Sequence, residues 1–67
     1  MAITLKAARV NAGLIQREAA ERLGIARETL RNYENGRTKP DIDMAIKISE
    51  LHGLKVDDIL FSPNDFA

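Results

Sequence analysis

Four glycines constrain the fold of this chain more than any other feature of its sequence. They stand at positions 13, 24, 36 and 53. The segments between them show the three-to-four-residue apolar spacing of helices rather than the two-residue alternation of strands. A glycine just after a helix accepts the left-handed conformation that ends it. The spacing therefore predicts short helices joined by tight turns, and no strands.

The predicted elements are five helices that form a compact all-α bundle. The first carries Leu5, Ala8 and Ala12 on one stripe, and Asp41 is suited to cap the fourth. We expect one domain over residues 1–67, with 61–67 as a C-terminal tail. The predicted helices cover residues 5–12, 16–23, 27–35, 42–52 and 56–61.

Length and composition exclude several classes of protein. A chain of 67 residues without cysteine has room for one small core, and it has neither a disulfide framework nor a thiolate metal site. No apolar run approaches the ~20 residues that cross a bilayer. Residues 1–5 do not resemble a signal peptide. We therefore expect a cytoplasmic protein that has no membrane partner.

The charges balance in number but not in position. Residues 1–40 contain eight Lys or Arg and four Asp or Glu, whereas residues 41–67 contain two and six. The first part is therefore net positive by four charges and the second net negative by four. A positive lobe can bind phosphates while the acidic part faces away. A solvated surface with both signs of charge is the alternative explanation.

The strongest functional signal lies in residues 16–35. This segment contains two predicted helices with the turn Gly24-Ile25-Ala26 between them, as in a helix-turn-helix. If the two helices pack at a steep angle, their contact positions must be apolar, and the residue where the second helix passes closest must be small. The apolar positions are Ala19, Leu23, Ile25, Leu30 and Tyr33, and the small residue is Ala20.

The opposite face of the second helix in this pair is polar. It presents Arg27, Glu28, Arg31, Asn32 and Asn35, which are side-chain types that read base edges in a major groove. Any stable helical hairpin has a polar face, but a hairpin alone does not predict the small residue, the turn glycine and long polar side chains together. The segment therefore favours a DNA-binding function.

Residues 14–40 resemble the helix-turn-helix of phage Cro and cI-type repressors, the XRE-like group. The stretch 33–40, Tyr-Glu-Asn-Gly-Arg-Thr-Lys-Pro, is the most specific part, and the flanking segments match as well. The resemblance implies a five-helix, lambda-repressor-like DNA-binding domain. The implied function is a sequence-specific transcriptional regulator of double-stranded DNA, a repressor that binds an inverted-repeat operator as a homodimer.

The resemblance also implies roles for individual residues. An ion pair between Arg9 and Glu34 is expected to hold the first helix against the third. The residues expected to contact DNA phosphates are Gln16, Arg17, Asn35, Gly36, Arg37 and Lys39. Base readout is assigned to Arg27, Glu28, Arg31 and Asn32, with Arg27 favoured for guanine and Asn32 for adenine or the backbone. Glu28 either accepts from a cytosine amine or only braces Arg31.

The sequence departs from the family pattern at three helix starts. Ile15, Ala26 and Lys55 stand where Ser or Thr is usual. Each omission removes a side-chain oxygen that would accept from a free backbone N–H, at a cost of about 0.5–2 kcal/mol. The substitutions at Ile15 and Ala26 also remove hydroxyl groups that could contact phosphates.

Homodimerisation is assigned to the C-terminal part of the chain, because one monomer reads only about one half-site. The alternative is that this segment folds back over the monomer's own small core. The expected self-complementary patch consists of Leu54, Ile59, Leu60, Phe61 and Phe66.

Catalytic and metal-binding functions are not predicted. His52, Ser49 and Asp57 offer hydrolase side chains, but nothing resembles an oxyanion loop or a nucleophile turn. The aspartates lack the loop spacing of a calcium site. We expect no enzyme activity, cofactor, metal or small-molecule ligand. The alternative function is a helix-turn-helix antitoxin or immunity protein whose main partner is another protein.

Overall fold

The computed structural model describes residues 2–60. A single 3-10 turn at Val56–Asp58 precedes the second of two short strands. The α-helices of the described part are α1 (Leu5–Asn11), α2 (Gln16–Leu23), α3 (Arg27–Glu34) and α4 (Ile42–Leu51). The strands are β1 (Ile3–Thr4) and β2 (Ile59–Leu60).

The prediction of five helices without strands is wrong at both ends of the described chain. The segment predicted as the fifth helix makes one 3-10 turn and then extends into β2. β2 pairs in parallel with β1, with Ile3 opposite Ile59 and Thr4 opposite Leu60. This pairing gives partners to backbone groups of both extended segments, which would otherwise need water or other acceptors. The described domain therefore has four α-helices.

Two helices begin at residues whose side chains cap them. The Ala7 N–H donates to Thr4 Oγ1 at 3.1 Å, and the Met44 N–H donates to Asp41 Oδ1 at 2.8 Å. Each bond satisfies one of the first-turn N–H groups that a helix leaves without a partner. The prediction for Asp41 is confirmed. Thr4, which the helical spacing did not single out, has the same role at α1.

The four described helices end in a common geometry. A glycine of positive φ follows each helix, as at Gly24, where φ is 71°. The N–H of the next residue then donates to a carbonyl five residues back at 2.9–3.2 Å, as in a Schellman motif. That next residue is apolar after three of these helices (Leu14, Ile25 and Leu54), and each packs into or against the core. After α3 it is Arg37, which is exposed.

The core forms where α2 crosses α3, and the predicted contact residues are confirmed. Ala19 and Leu30 have no exposed surface, and Ala20 is 3% exposed. Ile25 and Tyr33 are partly buried against the same cluster. Ala12, by contrast, is exposed because α1 ends one residue earlier, so it does not extend the predicted stripe. The buried Leu30 fixes which face of α3 points outward.

Candidate nucleic-acid interface

The polar face of α3 points away from the core. Arg27, Glu28 and Arg31 are exposed, and Asn32 is half-buried. Leu30 lies fully buried on the other side of the same helix. The structure therefore brings the four predicted base-reading side chains onto one outward face. The side chains on this face are long and polar. A major groove is wide enough to admit an α-helix, and such side chains can then reach the base edges.

A buried ion pair joins α1 to the end of α3. Arg9 Nε lies 2.6 Å from Glu34 Oε2, and Arg9 Nη2 donates to the other carboxylate oxygen at 3.2 Å. The third Arg9 nitrogen, Nη1, donates to the Leu14 carbonyl at 2.9 Å. The two charged side chains are only 10% and 2% exposed. The fork-shaped guanidinium thus has partners on all three nitrogens, which is the geometry that a buried arginine requires.

The same carboxylate orients Gln16, the first residue of α2. Gln16 Nε2 donates to Glu34 Oε1 at 3.0 Å. A carboxamide has two N–H donors and a carbonyl acceptor, so this bond leaves one donor and the acceptor for other partners. Glu34 therefore links three helices and holds the side chain that we predict to contact a phosphate.

An open cleft of about 510 Å³ lies between α1 and the starts of α2 and α3. We call it the basic cleft. It brings together two of the predicted phosphate-contacting residues with one predicted base-reading residue. It also contains Lys6, which lies outside the helix-turn-helix motif and was not predicted as a site residue. The sequence signal that could have identified Lys6 is its spacing from Arg9, because residues three apart share a face of α1. Its lining residues are Lys6, Arg9, Ile15, Gln16, Arg17 and Arg27.

Comparison with known proteins agrees with this architecture. A family model described as helix-turn-helix matches residues 5–59. This chain belongs to the helix-turn-helix family of the Cro/cI type. The family and its curated relatives are transcriptional regulators rather than enzymes. No solved structure matches the chain significantly.

The relatives of this helix-turn-helix domain come from bacteria and archaea. The HTH-type transcriptional regulator ImmR of Bacillus subtilis is 45% identical over 56 residues, which cover 84% of this chain and 44% of ImmR. The chain thus spans less than half the length of that relative. An HTH-type transcriptional regulator of Methanocaldococcus jannaschii is 34% identical over 61 residues, 91% of this chain and 92% of the relative. One from Archaeoglobus fulgidus is 34% identical over 59 residues, which cover 88% of this chain and 83% of the relative.

Glu28 and Arg31 form a loose pair on the outward face of this helix-turn-helix. Arg31 Nη1 lies 3.7 Å from Glu28 Oε2, and the two side chains are 59% and 66% exposed. An exposed pair of this spacing contributes about 0.2–0.5 kcal/mol, so a base can replace either partner at little cost. The contact agrees with a bracing role, and readout of a cytosine amine by Glu28 stays a prediction.

In the turn after α3, the backbone N–H groups of residues 35–37 already have acceptors. The N–H groups of Asn35, Gly36 and Arg37 already donate to carbonyls of α3, at 3.0–3.2 Å. A phosphate here would therefore meet the side chains of Asn35, Arg37 and Lys39, which are all exposed. Gly36 shapes the turn with a φ of 74°, and its contact with a phosphate stays a prediction. Arg37 is exposed at the position where the turns after the other three helices have an apolar residue. This difference in the sequence distinguishes the turn after α3 from the other three turns.

Three helix starts lack a side-chain cap, as the sequence predicts. Ile15, Ala26 and Lys55 make no capping hydrogen bond through their side chains. At α2 the omission is partly offset, because the Ile15 N–H donates to Glu18 Oε1 at 3.2 Å. This bond is half of a capping box. The missing half is an oxygen at position 15.

Ile15→Thr is expected to stabilise the domain. Ile15 is 50% exposed, so little buried apolar surface is lost, while the threonine oxygen can accept from the Glu18 N–H and complete the capping box. A gain of about 1 kcal/mol raises the melting temperature of a domain this small by roughly 4–8 °C. Thermal unfolding followed by circular dichroism measures it. Ile15→Val is the control without an oxygen, and an equal Tm for both variants would contradict the capping argument.

The predicted dimer patch is only partly described by the structure. Ile59 is 4% exposed and belongs to the monomer's own core, and Leu54 is partly buried against that core. Leu60 lies in β2. Phe61 and Phe66 lie outside the described residues. The two described side chains favour the alternative that this segment closes the monomer's core, and its role in a dimer stays a prediction.

Membrane-spanning helices and metal-binding clusters are both absent from the described residues. Among residues 2–60, no helix has the length and apolar character needed to span a bilayer. No three His, Cys, Asp or Glu side chains in that range are grouped so that they could hold a metal ion.

Proposed function

We propose that this chain is a sequence-specific regulator that represses transcription by occupying an inverted-repeat operator in double-stranded DNA. The observation that carries the proposal is the outward face of α3, where Arg27, Glu28 and Arg31 are exposed opposite the buried Leu30. Packing against α2 holds this helix so that its polar side chains can enter a major groove. The relatives' description as transcriptional regulators supports the same role.

Phosphate contacts would set the register of α3 on the duplex. Gln16 and Arg17 stand at the start of α2, where a helix N-terminus favours an anion. Arg37 and Lys39 follow α3, so the two groups bracket the recognition helix. Contacts of this kind position the protein without carrying sequence information. Discrimination would then come from the side chains of α3.

The length of DNA that one recognition helix contacts favours a dimer. One α3 spans only about one half-site, and two copies read half-sites that lie about one helical turn apart. An isologous pair of copies would match an inverted repeat, because both have two-fold symmetry. A bound dimer represses by excluding polymerase from an overlapping promoter. The proposed site of action is the cytoplasm, where the operator DNA would be located.

Selection from a random duplex pool at moderate salt tests this function. We expect a short inverted repeat to be enriched, and its centre-to-centre spacing gives the separation of the half-sites. A single half-site without a repeat would contradict the dimer. An unenriched pool, with binding that falls steeply as salt rises, would mean that only phosphates are bound. That result would favour a protein partner, as for an antitoxin.

A further inference from the structure

We propose that Lys6 contacts a DNA backbone phosphate seated in the basic cleft, so that α1 extends the DNA-binding surface beyond the helix-turn-helix. The proposal rests on the proposed function, because it assumes that the chain binds duplex DNA. It adds a residue that the motif over 16–35 does not contain. It also assigns the cleft to one ligand chemistry, the phosphodiester.

Charge is the first argument for an anion in this cleft. Four of its six lining residues are Lys or Arg, and none is acidic. Arg9 is neutralised by Glu34, but Lys6, Arg17 and Arg27 form no ion pair within residues 2–60. Like charges collected in one cleft repel each other and raise the local concentration of anions. A phosphodiester would relieve the repulsion.

The start of α2 is the second argument. Ile15 brings no side-chain oxygen to cap the helix, and the backbone of α2 begins at Gln16 beside the cleft. The first N–H groups of a helix need acceptors from outside the helix. A phosphate oxygen in the cleft would provide one, next to the carboxamide that Glu34 orients. The same anion would thus satisfy both the helix start and the cationic side chains.

The position of Lys6 is set by the buried network. Lys6 lies one turn before Arg9 on α1, and Arg9 is fixed to α3 by its bonds to Glu34. The backbone of α1 is therefore held at the cleft while the lysine side chain stays exposed. A lysine ammonium is a compact point charge on a flexible stem, so it can reach a phosphate from several directions. We expect Lys6 to contribute affinity and no base preference.

The experiment compares wild-type protein and Lys6→Gln on a mixed-sequence duplex of roughly 20 base pairs, which is long enough to cover the phosphates of one bound domain. Fluorescence anisotropy gives the binding constant at several NaCl concentrations. We expect the negative slope of log K against log salt to become less steep by about 0.9, which corresponds to one lost phosphate contact and a roughly eightfold weaker binding near 0.1 M salt. Lys6→Arg keeps the charge and should retain the wild-type slope.

Lys47→Gln is the matched control. It removes the same charge from an exposed position on α4, outside the basic cleft. Equal slopes for Lys6→Gln and Lys47→Gln would overturn the assignment of Lys6. The proposed function would still hold in that case, provided that the wild-type protein binds the duplex. Wild-type protein that binds no duplex even at low salt would instead overturn the proposed function itself. Circular dichroism verifies that each variant is folded.

Discussion

Glu34→Ala lowers the free energy of unfolding by about 3–5 kcal/mol, the loss expected when one partner of a buried ion pair is removed. The substitution leaves the Arg9 guanidinium, whose side chain is only 10% exposed, without its carboxylate. It also removes the acceptor of the Gln16 carboxamide. A domain of this size has a total stability of roughly 3–10 kcal/mol. The variant therefore retains only part of the wild-type stability and unfolds at a clearly lower urea concentration.

Urea unfolding followed by circular dichroism measures this loss. Glu28→Ala is the matched control, because it removes a glutamate from an exposed pair on the same helix, and it should cost no more than about 0.5 kcal/mol. The double variant Arg9→Met, Glu34→Leu removes both charges and should be more stable than Glu34→Ala alone. A loss for Glu34→Ala as small as that for Glu28→Ala would contradict the structural role of the pair.

Arg27→Ala relaxes the preference for one base pair in each half-site by about 1–3 kcal/mol, which is the discrimination of one bidentate contact. Arg27 is the first residue of α3 and is exposed. The N-terminal residues of a recognition helix lie deepest in the groove. Competition between the selected operator and single-base substitutions measures the effect. Arg22→Ala, an exposed arginine of α2, serves as the control that keeps the full preference.

The position of Arg27 in the basic cleft makes this experiment decisive for its role. If Arg27 contacts a phosphate, Arg27→Ala weakens binding to all sequences about equally. The negative slope of log K against log salt then becomes less steep by about 0.9. A base contact changes one position of the operator and leaves the others unaffected. A uniform loss would contradict the assignment of Arg27 to guanine.

The local elements of this protein follow from its sequence. The glycines end the helices because they accept a positive φ, and Asp41 caps α4 through an oxygen three residues before the N–H that it accepts. The contact between α2 and α3 is also local, because only a short turn separates the helices. The apolar and small residues of the two helices and their turn are therefore sufficient to predict both the motif and the outward face of α3.

Contacts between distant segments were not predictable in the same way. The residues of β2 are compatible with a helix, but in the structure they pair with β1, more than fifty residues earlier in the sequence. Such a pairing gives partners to the backbone groups of both segments. The bond from Gln16 to Glu34 likewise joins residues 18 apart in the sequence. The burial of Ile59, which removes it from a free surface, depends on the same closure of the chain ends.

The sequence by itself determined four helices, their turns and the motif, since these depend on neighbouring residues and on the spacing of apolar side chains. The tertiary structure alone decided the strand pairing, the bond from Gln16 to Glu34 and the basic cleft. Each of these needs groups from separate helices or from both ends of the chain, and their approach depends on how the core packs. Lys6 shows the difference, because its charge is evident in the sequence but its neighbours are not.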